Sequence, residues 1–475
     1  GIPRSFIPLQ PHEILTDPLR AIELRWGSST SCPCKVQIDA LIDEIAKAKP
    51  EVKRLKVLKQ GLSRQFSDPS LSAQDLNLTK QKVGEVSAKI KQLEAALKQS
   101  MARLRALFEA DPDIAALPPH YHQTSPVAKG NPAAKLELAT PMQAGAWDSY
   151  VAKHPRATIY HRFDWKNTLE RAHQVKGFYV IAKAENNDIV GVLPTFNLCS
   201  RLFGNFLVSL PYMNYGGPLA DSVTVEQQLL DHAAKIATEQ GARHFEARCM
   251  HEVTSWPKKC DKVSMLLQLP ASSALLDQQL GSKLRAQIKQ CRQHQLHCQF
   301  GNLNLLDDFY SVFSQNMRDL GTPVYGKPFF REILMTFPEA ATIAVTYSNK
   351  QPVAAGFLLG SGDTLEIPWA SALRKFNHLQ ANMFMYRSVL DYAIEQDFSW
   401  FDFGRSTLDA PTYRFKKQWG AKPITHHWHY WLPDGHTMPQ LNPNNPKYKI
   451  AISIWKKIPV WLTKIIGPPI VKNLP

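Results

Sequence analysis

A chain of 475 residues with 44% hydrophobic and 10% aromatic content is globular and too long for one ordinary domain. Its formal net charge of +15 favours a polyanionic partner (RNA, a phosphorylated substrate or an anionic membrane face), although charge that only keeps a protein soluble reads the same way. Seven scattered cysteines exclude a disulfide framework, no run reaches the ~18 apolar residues that would span a bilayer, and no early stretch has the apolar core of a secretory signal.

From about 36 to 110 the apolar residues recur in alternating steps of three and four. They are Leu41, Ile45, Ala48, Val52, Leu55, Leu58, Leu62 and Phe66, then Leu76, Val83, Val86, Ile90, Leu93, Leu97, Leu104 and Leu107, with Thr79 filling one step. The breaker Ser67-Asp68-Pro69-Ser70 divides them, so the spacing predicts an antiparallel helical hairpin, a coiled coil with arms of roughly 45 Å. Pro50 should kink the first arm. Its outer faces carry Lys53, Arg54, Lys56, Lys89, Lys91, Lys98 and Arg103. A solvated face, or a coiled coil that makes a homodimer, would look alike, but the excess of basic over acidic residues suits an arm laid along a phosphate backbone.

From about 137 to 433 strand-like and helix-like segments alternate, which predicts an α+β or α/β body. A weak duplication runs through it. Phe178–Ala182 leads through a polar turn into Ile189–Leu193, and Ala341–Val345 leads likewise into Val353–Phe357. A further strand, a long helix and another strand follow in each half, ending at His244–Ala247 and at Trp400–Phe403. The last stretch, from 434 and above all Lys447 to Pro475, mixes isoleucines and tryptophans with lysines. It reads either as a helix lying on an anionic bilayer or as a tail docked on the body, with Gly467-Pro468-Pro469 expected to stop any helix.

The segment Phe401-Asp402-Phe403-Gly404-Arg405-Ser406 … Tyr413-Arg414-Phe415-Lys416-Lys417-Gln418-Trp419-Gly420 resembles the C-terminal signature of the FemAB family, GNAT-like transferases that move an aminoacyl group from a tRNA to an amine. Asp319–Val324, Asn442–Tyr448 and Gly467–Val471 make the likeness nearest to the type associated with exosortase and exopolysaccharide systems. The resemblance implies tandem GNAT-like domains, here at 137–300 and 301–433, and assigns the lysine of the Phe415-Lys416 pair to the carbonyl oxyanion. Phe415 is then a second contact through its backbone. Asp402 orients the amine or accepts its proton, unless it pairs with Arg405 or caps the next turn. Arg405, Ser406, Tyr413 and Arg414 lie where substrate would meet them. Lys283, Arg285, Lys289 and Arg292 resemble the family's basic segment between the halves and suit a phosphate-bearing substrate. Arg162, Trp165 and the turn Asn214-Tyr215-Gly216-Gly217-Pro218 resemble residues that shape the acceptor cleft.

The order Asp17-Pro18-Leu19-Arg20, Arg25, hairpin, Leu117-Pro118-Pro119-His120 and Ser125–Gly130 resembles the tRNA-binding arm of seryl-tRNA synthetases over residues 1–130. The two resemblances together imply a cytoplasmic aminoacyl-tRNA-dependent N-acyltransferase, with seryl-tRNA as donor, an amine-bearing acceptor, no cofactor and no metal. Such an enzyme could also sit peripherally on the inner face of the membrane. An acyltransferase using acyl-CoA or acyl carrier protein is the first alternative, but Arg374–Asn382 lacks the glycines that let backbone N–H groups approach a pyrophosphate. A non-catalytic tRNA- or membrane-binding adaptor is the second.

Overall fold

Residues 35–67, 72–109, 117–123, 134–201, 203–439 and 446–474 are described in a computed structural model of the chain. The quoted segments Asp17–Arg20, Arg25, Ser125–Gly130 and Asn442–Asn445 lie outside those residues, as do the side chains of Leu104, Leu107 and Arg292. The chain forms two compact units, one built on a helical hairpin and the other on residues 115–406 with 411–475.

The hairpin pairs α1 (Lys35–Arg64) with α2 (Ala73–Glu109). Leu41, Ile45, Val52 and Leu55 of α1 are buried with Ile90, Thr79 and Ser100 of α2, so the periodic seam does close. Ser100 donates to Glu44 at 2.9 Å, and Lys56 pairs with Glu94 at 2.8 Å, which fixes the antiparallel register. One expectation needs adjustment. Leu58 and Phe66 stay exposed, so the seam loosens towards the turn. The helix is continuous through Pro50, which sits on the outer face where water can replace the lost backbone bond.

The second unit holds two mixed sheets. Its strands are β1 (Lys135–Leu138), β2 (Lys176–Lys183), β3 (Ile189–Ser200), β4 (Gly204–Val208), β5 (Leu219–Ala220), β6 (Phe245–Cys249), β7 (Lys258–Lys259) and β8 (Lys262–Gln268). There follow β9 (His297–Gly301), β10 (Ala341–Ser348), β11 (Gln351–Ser361), β12 (Thr364–Ala372), β13 (Trp400–Thr407), β14 (Lys422–Thr425) and β15 (His427–Trp431). One sheet runs β1-β2-β3-β4-β6-β15-β7, with β5 beside β3, and the other runs β14-β8-β13-β12-β11-β10-β9.

The duplicated order is present. Strands β2, β3, β4 and β6 correspond to β10, β11, β12 and β13, and both hairpins are antiparallel. Each half then makes one parallel pairing, β4 with β6 and β12 with β13. A helix precedes the last strand of each: Val223–Glu239, capped by Ser222, and Ala381–Glu395. Each half is completed by a strand from the other. β8 lies beside β13 in the second sheet, and β15 pairs with β6 in the first. Both exchanged strands are almost continuously buried, which is why Val263, Met265, Leu266 and Leu267 follow one another without polar alternation, Ser264 being the one polar side chain among them.

Helices Leu306–Leu320 and Lys327–Thr336 bury their apolar faces in a core that also contains Trp147, Trp165 and Tyr179 of the first half. The tail forms two short helices, Pro446–Trp455 and Val460–Val471. The expected stop at Gly467 does not occur, because the second helix contains Pro468 and Pro469. Gly467 lies against the Val324 backbone so closely that a Cβ there would come within 2.9 Å of the Val324 nitrogen. That packing onto the body overrides the local preference of the two prolines.

Candidate active site

The parallel pairing of β12 with β13 sets Glu366 directly beside Asp402. Both are buried, at 4% and 0% exposure, in a region where neither strand has another acid. Two carboxylates placed in this way cannot both ionise cheaply.

The donors around them come from distant parts of the unit. Tyr160 donates to Glu366 Oε2 at 2.6 Å, Tyr215 reaches the same oxygen at 3.3 Å, and Asn214 donates to Oε1 at 2.7 Å. The Tyr121 hydroxyl donates to Asp402 Oδ2 at 2.7 Å and lies 3.4 Å from the Tyr215 hydroxyl. Asp402 Oδ1 accepts the Gly404 N–H at 2.8 Å. Asp402 thus caps the turn at Gly404, whose φ of +76° glycine adopts readily, and it has no bond to Arg405. Burial, with Asp402 beside it, pushes the Glu366 carboxyl up to about 8. Burial raises Asp402 as well, against the opposing pull of Tyr121, the Gly404 N–H, Lys416 and Ser264.

Lys416 lies on the short helix Pro411–Lys417, and its ammonium is buried at 7% exposure. It donates to the carbonyls of Gly404 at 3.1 Å and Arg405 at 3.0 Å. Those bonds account for two of its three N–H groups. Burial lowers Lys416 to about 8, although Asp402 and Glu366 pull the other way. The buried Ser406 hydroxyl, one residue beyond Arg405, has no partner among the described residues. The third ammonium hydrogen is the one that a polar substrate atom would complete.

The remaining sequence-derived candidates fall into several environments. Phe415 is half-buried, with its ring 5.1 Å from that of Tyr386. Tyr413 is buried and Arg414 exposed on the same helix as Lys416. Arg405 is exposed, and its guanidinium lies 5.3 Å from the centre of the Trp428 ring, which Arg248 approaches at 4.4 Å. Arg248 is itself tied to Glu246 at 2.7 Å. Trp165 is fully buried, bonds the Ile159 carbonyl and packs against Tyr160, so it holds the Glu366 donor in place from behind. Lys283 and Arg285 are exposed on the helix Ser282–Cys291 and do not join the carboxylate network. On the hairpin, Lys53, Arg54, Lys56, Lys89, Lys91 and Lys98 are exposed and Arg103 half-buried. Among the described residues His and Cys form no metal-binding cluster with each other or with acids.

Glu366, Tyr121 and Tyr160 were not singled out from the sequence, and Asn214 was read there only as part of the Asn214–Pro218 turn. One signal was there: Leu365-Glu366-Ile367 places a lone carboxylate inside an apolar strand, a position acids avoid unless paired. Tyr121 gave none, since it follows two prolines in what reads as the end of the arm.

A stability test separates the roles of charge and hydrogen bonding here. Glu366→Ala leaves three buried donors without an acceptor and should cost about 3–4 kcal/mol, whereas neutral, isosteric Glu366→Gln should cost about 1 kcal/mol or less. Thermal or denaturant unfolding of the two variants would show it. Equal stability of the two would mean that Glu366 does not hold the network together.

Residues 280–417 match the family model described as an acetyltransferase (GNAT) domain; the match includes Glu366, Asp402 and Arg405 and ends one residue after Lys416. No curated protein matches the chain. Among solved structures it is similar to FemX (12% identity, 62% of this chain and 96% of that one, TM-score 0.47). It is also similar to the C-terminal domain of a putative lysylphosphatidylglycerol synthetase from Agrobacterium fabrum (10%, 66% and 95%, 0.43) and to L-PGS from Bacillus licheniformis (11%, 70% and 98%, 0.42). The chain is an acyltransferase with a GNAT-type domain over residues 280–417, in an α+β fold of tandem GNAT-like halves preceded by a helical hairpin.

Proposed function

We propose that the protein is an aminoacyl-tRNA-dependent N-acyltransferase, moving an amino acid from tRNA to an acceptor amine. The observation that carries this reading is the buried Lys416 ammonium with two of its N–H groups committed to main-chain carbonyls. Acyl transfer from an ester places negative charge on the carbonyl oxygen as the amine adds, and a preorganised cation in a water-poor site meets that charge without reorganising. The new C–N bond forms, the ester C–O bond breaks, and the proton lost by the amine leaves with the ribose oxygen. Asp402 relays that proton: it takes it from the amine through the Tyr121 hydroxyl, which already donates to it and which burial keeps neutral, and returns it to the ribose oxygen as the ester bond breaks. Protonated Glu366 keeps a second negative charge away from Asp402. No bound cofactor takes part in these steps.

The basic faces of the hairpin support the choice of donor. Arg54 and Lys56 are paired with Glu51 and Glu94, but Lys53, Lys89, Lys91 and Lys98 have no ion pair among the described residues. Seryl-tRNA is the donor favoured by the resemblance of the arm. The name of the matched model, an acetyltransferase domain, favours a second reading in which acyl-CoA is the donor. Against it, Arg374–Leu379 forms a 3₁₀ turn of long side chains where a pyrophosphate would need small ones.

The deciding experiment supplies the purified protein with a mixture of amines and either labelled aminoacyl-tRNAs or labelled acetyl-CoA. Amide-linked label from tRNA alone supports the proposal. Label from acetyl-CoA with release of free coenzyme A, and none from tRNA, would transfer the protein to the second reading.

A further inference from the structure

We infer that the two C-terminal helices form a docking surface for an anionic lipid bilayer, independently of which acyl donor the enzyme uses. In the helix Val460–Val471, Thr463, Gly467 and Val471 are buried. Trp461 and Ile465, each two residues from that stripe, are 65% and 61% exposed. A shift of two residues is about 200° on an α-helix, so the apolar pair faces directly away from the docked stripe. On the helix Pro446–Trp455, Ile452 touches Gly321 yet stays 40% exposed, and Ile450 and Ile454 are 60% and 57% exposed. Five large apolar side chains on two consecutive helices are therefore exposed to solvent, which a water-facing helix does not need.

Charge identifies what covers them. Residues 446–475 contain Lys447, Lys449, Lys456, Lys457, Lys464 and Lys472 and no acidic residue. Lys456 and Lys457 are exposed at the turn between the helices. Beside that turn, Arg318 donates to the Ile458 carbonyl at 3.2 Å and lines an open cavity of about 640 Å³ with Arg374, Lys375 and its own ion-pair partner Asp319. A tryptophan and isoleucines framed by lysines match the interface of an anionic leaflet, where rings and aliphatic chains enter the headgroup layer and ammonium groups meet lipid phosphates. A second copy of the chain fits poorly, because a two-fold contact would set the same uncompensated lysines against each other. None of the described helices is long and apolar enough to cross a membrane, so the surface would lie on the bilayer.

The test is co-sedimentation of the full chain with vesicles of phosphatidylcholine alone or mixed with phosphatidylglycerol, at low and high salt. Salt-sensitive binding to the anionic vesicles is expected, with Trp461→Asp and Ile465→Asp each weakening it by about tenfold or more. Lys456→Glu with Lys457→Glu should weaken it further at low salt. Because these side chains are exposed, the melting temperature should not change, which separates lost docking from lost folding. Absence of wild-type binding at low salt, or equal binding by the Asp variants, overturns the inference. So does self-association of the wild type that Trp461→Asp abolishes while vesicle binding is absent, since a second copy would then own the face.

Discussion

Lys416→Met should lower kcat by about two to three orders of magnitude and leave KM nearly unchanged, the pattern of an interaction made only as charge develops on the reacting oxygen. Methionine keeps the apolar stem and most of the volume, so the buried position stays filled. Loss of the two bonds to the Gly404 and Arg405 carbonyls should cost about 1–3 kcal/mol of stability, not enough to unfold the enzyme, and a melting curve would confirm it. The pH profile adds a readout that a purely structural lysine would not move. The ammonium, lowered by burial to about 8, is charged below that pH and neutral above it. Activity should therefore hold up to about pH 8 and fall beyond it, and the fall should vanish from the residual activity of the methionine variant. Ionised Glu366 raises the proton affinity of Lys416, so Glu366→Gln should move the break to lower pH. A profile with the same break in all three proteins would remove Lys416 from the chemistry.

Reversing the charge of Lys53, Lys89, Lys91 and Lys98 should weaken tRNA binding on the order of a hundredfold at low salt and reduce the salt slope by about four. Each of these side chains is exposed on α1 or α2 and lies off the seam of Leu41, Ile45, Val52, Leu55 and Ile90, so helix content should not change. Filter binding across several salt concentrations, with circular dichroism as control, measures both quantities. Unaltered affinity would give the hairpin another role. Dimerisation is the obvious one, and deleting residues 36–110 would then lower the oligomeric mass while tRNA affinity stayed the same.

What could be read along the chain was whatever neighbours three or four residues apart determine. The hairpin seam from Leu41 to Leu97 and the paired β-hairpins at Phe178 and Ala341 repeat at the helix and strand periods, and the structure contains both. The Gly404-Arg405 strand end and Lys416 are only twelve residues apart, so their approach was within reach of a local motif. The mixed helix-and-strand composition and the duplicated order followed from the same short-range patterns.

Tertiary structure alone decided which strands complete which sheet. β8 and β15 are traded between the halves, and the energy of that trade lies in pairings such as His427 with Cys249, whose partners are far apart in the sequence and leave no local mark. The carboxylate cluster has the same origin. Tyr121 bonds Asp402 across 281 positions and Tyr160 bonds Glu366 across 206, and only burial of both acids makes their proton affinities depend on each other. At Pro468 and Pro469 a local rule gave way to packing, because Gly467 presses against the Val324 backbone. Short-range periodicity determined the elements and their order. The buried electrostatics that make a chemical site arise where residues distant in sequence exclude water together, and this the fold alone determined.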